Sequence, residues 1–119
     1  MANEITISAS LAFSKGGIGS SLADTSLQFD VSGTDYHQGT MQVGTSAETL
    51  NLGDITTPGY CYMKNTDATN YVEVIGVNTE TATIKLKAGE VALFRFASAA
   101  PEVQANTSIV QIDYLLIED

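Results

Sequence analysis

The chain has 119 residues, 44% of them hydrophobic, with 14 acidic side chains against 5 basic ones and a formal net charge of −9. That size suits one core and that apolar content excludes a disordered chain, while so negative a surface repels phosphate backbones and excludes nucleic acid as a partner. No apolar run reaches the roughly 20 residues a membrane helix needs, and Met1-Ala2-Asn3-Glu4 lacks the basic-then-apolar order of a signal peptide, so the expectation is cytoplasmic synthesis and no membrane partner.

Residues 4–13 alternate cleanly, with Ile5, Ile7, Ala9, Leu11 and Phe13 on one side and Thr6, Ser8 and Ser10 on the other. Period-two alternation predicts a strand. Lys15 to Ser21 holds Gly16, Gly17 and Gly19 and reads as a flexible connection; Ser26 to Ser32 alternates again, with Leu27, Phe29 and Val31 expected to face inward. Gly33 to Gly39 reads as a polar loop carrying Asp35, Tyr36 and the single histidine, His37. From Thr40 to Leu52 the apolar phase shifts, from Met41 and Val43 to Leu50 and Leu52, which predicts a bulge or a turn near Ser46 to Glu48.

Thr57-Pro58-Gly59 reads as a breaker, followed by strands over Tyr60 to Asn65 and Tyr71 to Ile75 with a hairpin-type loop, Thr66 to Asn70, between them. Thr83 to Lys87 places Ile84 and Leu86 inward, Ala88-Gly89-Glu90 makes a tight turn, and Val91 to Phe96 is apolar enough to be buried on both faces. After a loop at Ala97 to Pro101, Val103 to Ala105 gives a short strand and Ser108 to Ile117 a long closing one. Eight or nine short strands with no helical periodicity predict an all-β fold: one domain over residues 1–119, an antiparallel β-sandwich of jelly-roll type, with an up-and-down barrel left open.

Candidate chemistry is sparse. Cys61 is the only cysteine, so neither an intramolecular disulfide nor a multi-cysteine metal site can form, and its place between Tyr60 and Tyr62 predicts a buried, inert thiol. His37 has no nucleophile motif near it in sequence and reads as a surface-loop residue. Carboxylate pairs arise by chance among 14 acids and carry no specificity for glycoside hydrolysis. Lys15-Gly16-Gly17-Ile18-Gly19-Ser20-Ser21 fails as a phosphate loop, because its lysine precedes the glycines and no helix follows. Asn65, Asp67 and Asn70 lack the spacing of a calcium loop and read as turn formers. Asn106-Thr107-Ser108 matches a glycosylation sequon but has no secretory context. No catalytic residue, metal or cofactor is expected, and the chain reads as a non-enzyme.

The basic residues Lys64, Lys85, Lys87 and Arg95 all lie in the second half, where any acidic partner would have to dock. Tyrosines at strand starts suit an interface, since each joins a large apolar face to a polar tip. Tyr60, Tyr71, Lys85, Lys87 and Arg95 are therefore the candidate interface residues.

Two segments carry a resemblance. Thr57-Pro58-Gly59-Tyr60-Cys61-Tyr62-Met63-Lys64-Asn65-Thr66-Asp67-Ala68-Thr69-Asn70-Tyr71-Val72 resembles a pattern in small virion proteins of tailed bacteriophages, where an Asn-x-Asp-Ala-Thr-Asn-Tyr turn follows an apolar strand. Leu86-Lys87-Ala88-Gly89-Glu90-Val91-Ala92-Leu93-Phe94-Arg95-Phe96 is similar to the Leu-Lys-x-Gly-Glu turn that comes after it, and the alternating start and acidic end, Leu115 to Asp119, share the family look. The resemblance implies a virion structural protein, first a capsid decoration (cement) protein on the head exterior. Its partners would be the major capsid protein and further copies of itself, with a homotrimer expected for docking at three-fold positions. Head-fibre or tail proteins are the nearest alternatives; a carbohydrate-binding module stacking Tyr36, Tyr60 or Tyr71 on sugar, and a small enzyme, are more distant ones.

Overall fold

The structure, a computed structural model, describes residues 3–76, 81–97 and 99–119. The Met1-Ala2 start and Ser98 of the predicted 97–101 loop lie outside the described residues. All regular structure among the described residues is β: β1 (Ile5–Lys15), β2 (Ile18–Phe29), β3 (Tyr36–Val43), β4 (Glu48–Thr49), β5 (Pro58–Asn65), β6 (Val72–Ile75), β7 (Ile84–Leu86), β8 (Val91–Arg95), β9 (Glu102–Ala105) and β10 (Val110–Glu118). Where the sequence reading spreads one sandwich over residues 1–119, the chain divides into two compact units, Met1–Ser32 and Gly33–Asp119.

The second unit is a β-sandwich of two four-stranded sheets, ordered β3-β10-β5-β8 and β4-β9-β6-β7. Its first strand pairs with its last, the second with the seventh, the third with the sixth and the fourth with the fifth, all antiparallel. That nesting is a long ribbon folded once and rolled up, which is the jelly roll. Every connection except β6 to β7 therefore crosses from one sheet to the other. This corrects one expectation: Thr66 to Asn70 joins β5 to β6 in different sheets, so it is a corner and not a hairpin loop. Ala88-Gly89-Glu90 is the tight turn expected, closed by the Glu90 N–H donating to Lys87 O at 3.0 Å, and it too carries the chain between sheets.

Alternation sets the core. In β10 Val110, Ile112, Tyr114 and Leu116 are buried, and in β5 Cys61, Met63 and Asn65 are. They meet Leu50, Val72, Val74, Leu86, Val103 and Ala105 from the opposite sheet and its loops. β8 departs from the reading that buried it on both faces: it is the end strand of its sheet, so only Ala92 and Phe94 turn toward the core, while Val91 and Leu93 are 50% and 37% exposed. Pro58, read as a breaker, is the first residue of β5, a position where no ladder N–H is needed. Tyr36 to Gly39, read as loop, are the start of β3, paired with Tyr114 to Ile117; the polar composition misled because this stretch alternates outward-facing Tyr36 and Gln38 with only half-buried neighbours.

The first unit is a two-stranded antiparallel hairpin. Gly16 and Gly17 have φ of +59° and +83° and form a two-residue turn flanked by the Lys15–Ile18 pair, so the predicted flexible connection is a tight reversal and Ile18 already belongs to β2. Positive φ at both central positions gives the primed turn whose twist matches antiparallel strands. Of β1 and β2 only Ile5 is buried; Leu27 and Phe29, expected inward, are 39% and 40% exposed.

Candidate interaction surface

The two segments that carry the resemblance meet in space. Asn65 is fully buried, and its side-chain amide donates to the carbonyls of Asn70 and Leu86, both at 2.9 Å, while its Oδ1 accepts the Asp67 N–H at 2.8 Å. Its backbone exchanges bonds with the second segment: Asn65 N–H donates to Glu90 O and Gly89 N–H donates to Asn65 O. Asp67 Oδ2 accepts the N–H groups of Asn70 at 2.7 Å and Thr69 at 3.0 Å, and these donors, Asn70 first, hold its carboxyl below the ordinary carboxylate value. Asn106 Oδ1 accepts the Tyr71 N–H, and Thr107 Oγ1 donates to Asn70 Oδ1. The residues read as turn formers thus fix one sheet-to-sheet corner, with Asp67 committed to backbone donors.

The five candidate interface residues split between the sheets. Tyr60 and Arg95 are cross-strand partners on β5 and β8; the guanidinium lies 4.5 Å from the tyrosine ring centroid and donates to Asp119 Oδ1 at 2.6 Å. The Asp119 carboxylate raises the pKa of Arg95 further above its ordinary value. Tyr71 and Lys85 belong to the other sheet's strands and their approach, with the ammonium 4.4 Å from the ring centroid. Each pair spends its cation on a neighbouring ring, a modest contact at exposed sites. Lys87 is exposed, its backbone N–H held by Glu90 Oε1 at 2.8 Å. The structure brings together Tyr60 with Arg95 and Tyr71 with Lys85, but not all five.

A surface that sequence reasoning missed is the outer face of β3-β10-β5-β8. Pairing aligns Gln38, Leu115, Tyr62 and Leu93 in one row across all four strands and Thr40, Asp113, Lys64 and Val91 in the next. Tyr62 is 48% exposed, Tyr36 70%. An open concavity of about 390 Å³ lies between Gln38, Thr40, Tyr62, Lys64, Asp113 and Leu115. The signal for it was present in the alternation of Tyr60, Tyr62 and Lys64 against inward Cys61, Met63 and Asn65. The run read as uniformly apolar, and the outward phase was overlooked.

His37 is on β3 and not in a surface loop; it is half-buried, its ring centroid 5.5 Å from that of Tyr114 and packed against Gly53, whose φ of +60° brings its backbone to the imidazole. Tyr114 donates its hydroxyl to Asn51 O at 2.6 Å, and burial pushes its pKa up to about 12. Cys61 is fully buried, which pushes its thiol up to about 12 and keeps it from forming the reactive thiolate. Among the described residues no three His, Cys, Asp or Glu side chains group as metal ligands. The chemistry this arrangement offers is contact through faces and edges. Comparison with protein-family models, with curated proteins and with solved structures finds no match to the chain.

Proposed function

We propose that this protein is a structural component of a tailed-phage virion, a capsid decoration protein that binds and stabilises the head exterior. The observation that carries the reading is the corner built on Asn65: both segments resembling phage virion proteins converge there, and every hydrogen bond in it serves the body of the fold. A resemblance lodged in a structural knot speaks for a shared scaffold and not for shared chemistry. The jelly roll supports this, since viral capsid proteins use it repeatedly, although lectin domains and cupins do as well. The net charge of −9 supports a solvated exterior that resists nonspecific association. Docking to the major capsid protein falls to the outer face of β3-β10-β5-β8, where Tyr36, Tyr62, Val91 and Leu93 are exposed around Lys64 and Arg95. Weak contacts of this kind hold a shell together when symmetry repeats them.

Co-sedimentation with phage heads tests the proposal. The protein is expected to pellet with expanded heads and to cover the icosahedral shell in electron micrographs; density at a single vertex would make it a tail component, and no head affinity would contradict the reading. A second reading, a carbohydrate-binding module, draws on the concavity beside Tyr62, where a sugar ring would stack. A glycan titration that leaves Tyr62 fluorescence unchanged removes it.

A further inference from the structure

The β1–β2 hairpin carries an apolar face assembled by a specific device. Directly paired residues share a face of a sheet, and the register pairs Ile7 with Leu27, Ala9 with Asp24, Leu11 with Leu22, Phe13 with Ser20 and Lys15 with Ile18. In β2 the apolar residues change parity, from Ile18 and Leu22 to Leu27, which would place them on opposite faces of a regular strand. The register shifts between Ile7 and Ala9, and the shift puts all of them on one face. It places Ser26 at φ +58°, a conformation that strains a residue with a Cβ, and Ser8 Oγ accepts the Ser26 N–H at 3.2 Å. The other face is small and polar: Thr6, Ser10, Ala12 and Ser14 against Gly19, Ser21, Ala23 and Gln28.

That apolar face is open. Leu11 is 78% exposed, Leu22 76%, Ile18 70%, Phe13 56% and Leu27 39%. Taking roughly 180–200 Å² for each large side chain, the scale of aromatic burial, these five leave on the order of 600 Å² of apolar surface per copy, approaching the ~800 Å² per partner of a standard interface. A two-stranded hairpin is marginal in water unless such a face is covered. The charges indicate by what. The strands of a chain of net charge −9 hold only Lys15 and Asp24 between Ile5 and Phe29, opposite in sign and on this same face.

We propose that a second copy of this chain covers the face, the two hairpins packing antiparallel with Lys15 of each copy opposite Asp24 of the other. A two-fold axis between the Leu11–Leu22 and Phe13–Ser20 pairs produces that match and sets Leu11 and Leu22 against Phe13 of the partner. In that arrangement two acidic chains meet with opposite charges, not like ones, facing across the contact. The contact is self-complementary, as a two-fold interface requires, so its product is a pair of chains. It rests on the multi-copy reading above only for its setting on a particle, and the test needs no particle.

Analytical ultracentrifugation of the whole chain decides it. The unaltered protein is expected at twice the chain mass. Leu11→Glu with Leu22→Glu raises the dissociation constant at least about 100-fold, the scale of two apolar side chains losing burial. Lys15→Glu weakens pairing roughly five- to tenfold, a range set by exposed ion pairs, and adding Asp24→Lys restores it. Ser10→Glu with Ser21→Glu, on the polar face, leaves the mass unchanged. All these positions are exposed; an unaltered melting temperature certifies the body of each variant as folded, and an unaltered far-ultraviolet circular dichroism spectrum at high concentration certifies the hairpin of the rescued and polar-face variants. A monomeric or trimeric unaltered protein, a double-leucine variant that still pairs, or a charge swap without rescue overturns the proposal. Loss of head affinity alone, with pairing intact, counts against the virion reading and leaves this one standing.

Discussion

The jelly-roll body and the N-terminal hairpin obey the same period-two rule and put it to opposite uses. In β10 the alternate residues Val110, Ile112, Tyr114 and Leu116 vanish into a core shared with a second sheet. In β1 an equally clean series, Ala9, Leu11 and Phe13, stays exposed because its unit has no second sheet. Alternation therefore reports that a strand has an apolar face; it does not report what covers that face. The contrast extends to charge: the hairpin strands balance Lys15 against Asp24, whereas the acidic excess lies mainly in the body.

Substitutions in the two regions separate them most sharply. Leu116→Ala leaves a cavity in a fully buried site and is expected to destabilise the body by about 2–5 kcal/mol. Asn65→Ala strands the carbonyls of Asn70 and Leu86 and the N–H of Asp67, a loss also of about 2–5 kcal/mol. Denaturant titration measures both; Leu11→Ala in the hairpin should move the body's midpoint by no more than about 0.5 kcal/mol, as for other exposed sites. Equal effects in the two regions would erase the distinction.

Next in size is Gly53→Ala. The added Cβ would sit 2.8 Å from His37 Nδ1 at a backbone φ of +60°, and the left-handed conformation alone costs about 1–2 kcal/mol. A thermal melt showing no loss would mean that this loop is not held against β3.

Acid should act on the body through Asp67 and Glu118. The Thr56 and Thr34 N–H groups hold the Glu118 carboxyl down as Asn70 and Thr69 hold that of Asp67. Since both folded-state pKa values lie below the ordinary ones, their stabilisation is complete above the ordinary values of 4.5 and 3.8 and is lost as pH falls through the lowered ones. Melting temperature should be level from neutrality to about pH 5 and drop below it, and Asp67→Asn should flatten that drop. The smallest effect is chemical: Cys61 in the folded body should resist thiol reagents at pH 8 and react fully only on denaturation.

Much of the body was legible in its sequence. Apolar and aromatic enrichment located β5, inward Ile84 and Leu86 located β7, and the apolar stretches after Pro101 located β9 and β10. The break between β3 and β4 was marked by the phase shift near Ser46 to Glu48, and the all-β jelly-roll class followed from strand number and turn spacing. Three things were hidden. Composition at Asn65 to Asn70 specifies a turn without saying whether it returns to the same sheet or crosses to the other, so the corner passed for a hairpin loop. Glycines at 16, 17 and 19 passed for slack, although two in succession at positive φ make a tight reversal. The parity change within β2 disguised a continuous strand, because only the pairing partner reveals that the register shift restores one face. Of the interaction surface, Tyr60 and Arg95 were legible as an aromatic and a basic residue. Tyr62 was readable too, since a buried Cys61 puts its neighbour outward, but the apolar character of the whole run masked that alternation.

Amide hydrogen exchange at two protein concentrations addresses the contrast between the regions most directly. The account predicts strong protection of β5 and β10 at both concentrations, with β1 and β2 exchanging fast when dilute and slowly when concentrated. Hairpin amides protected as well as β10 at every dilution, or open at every concentration, would contradict it.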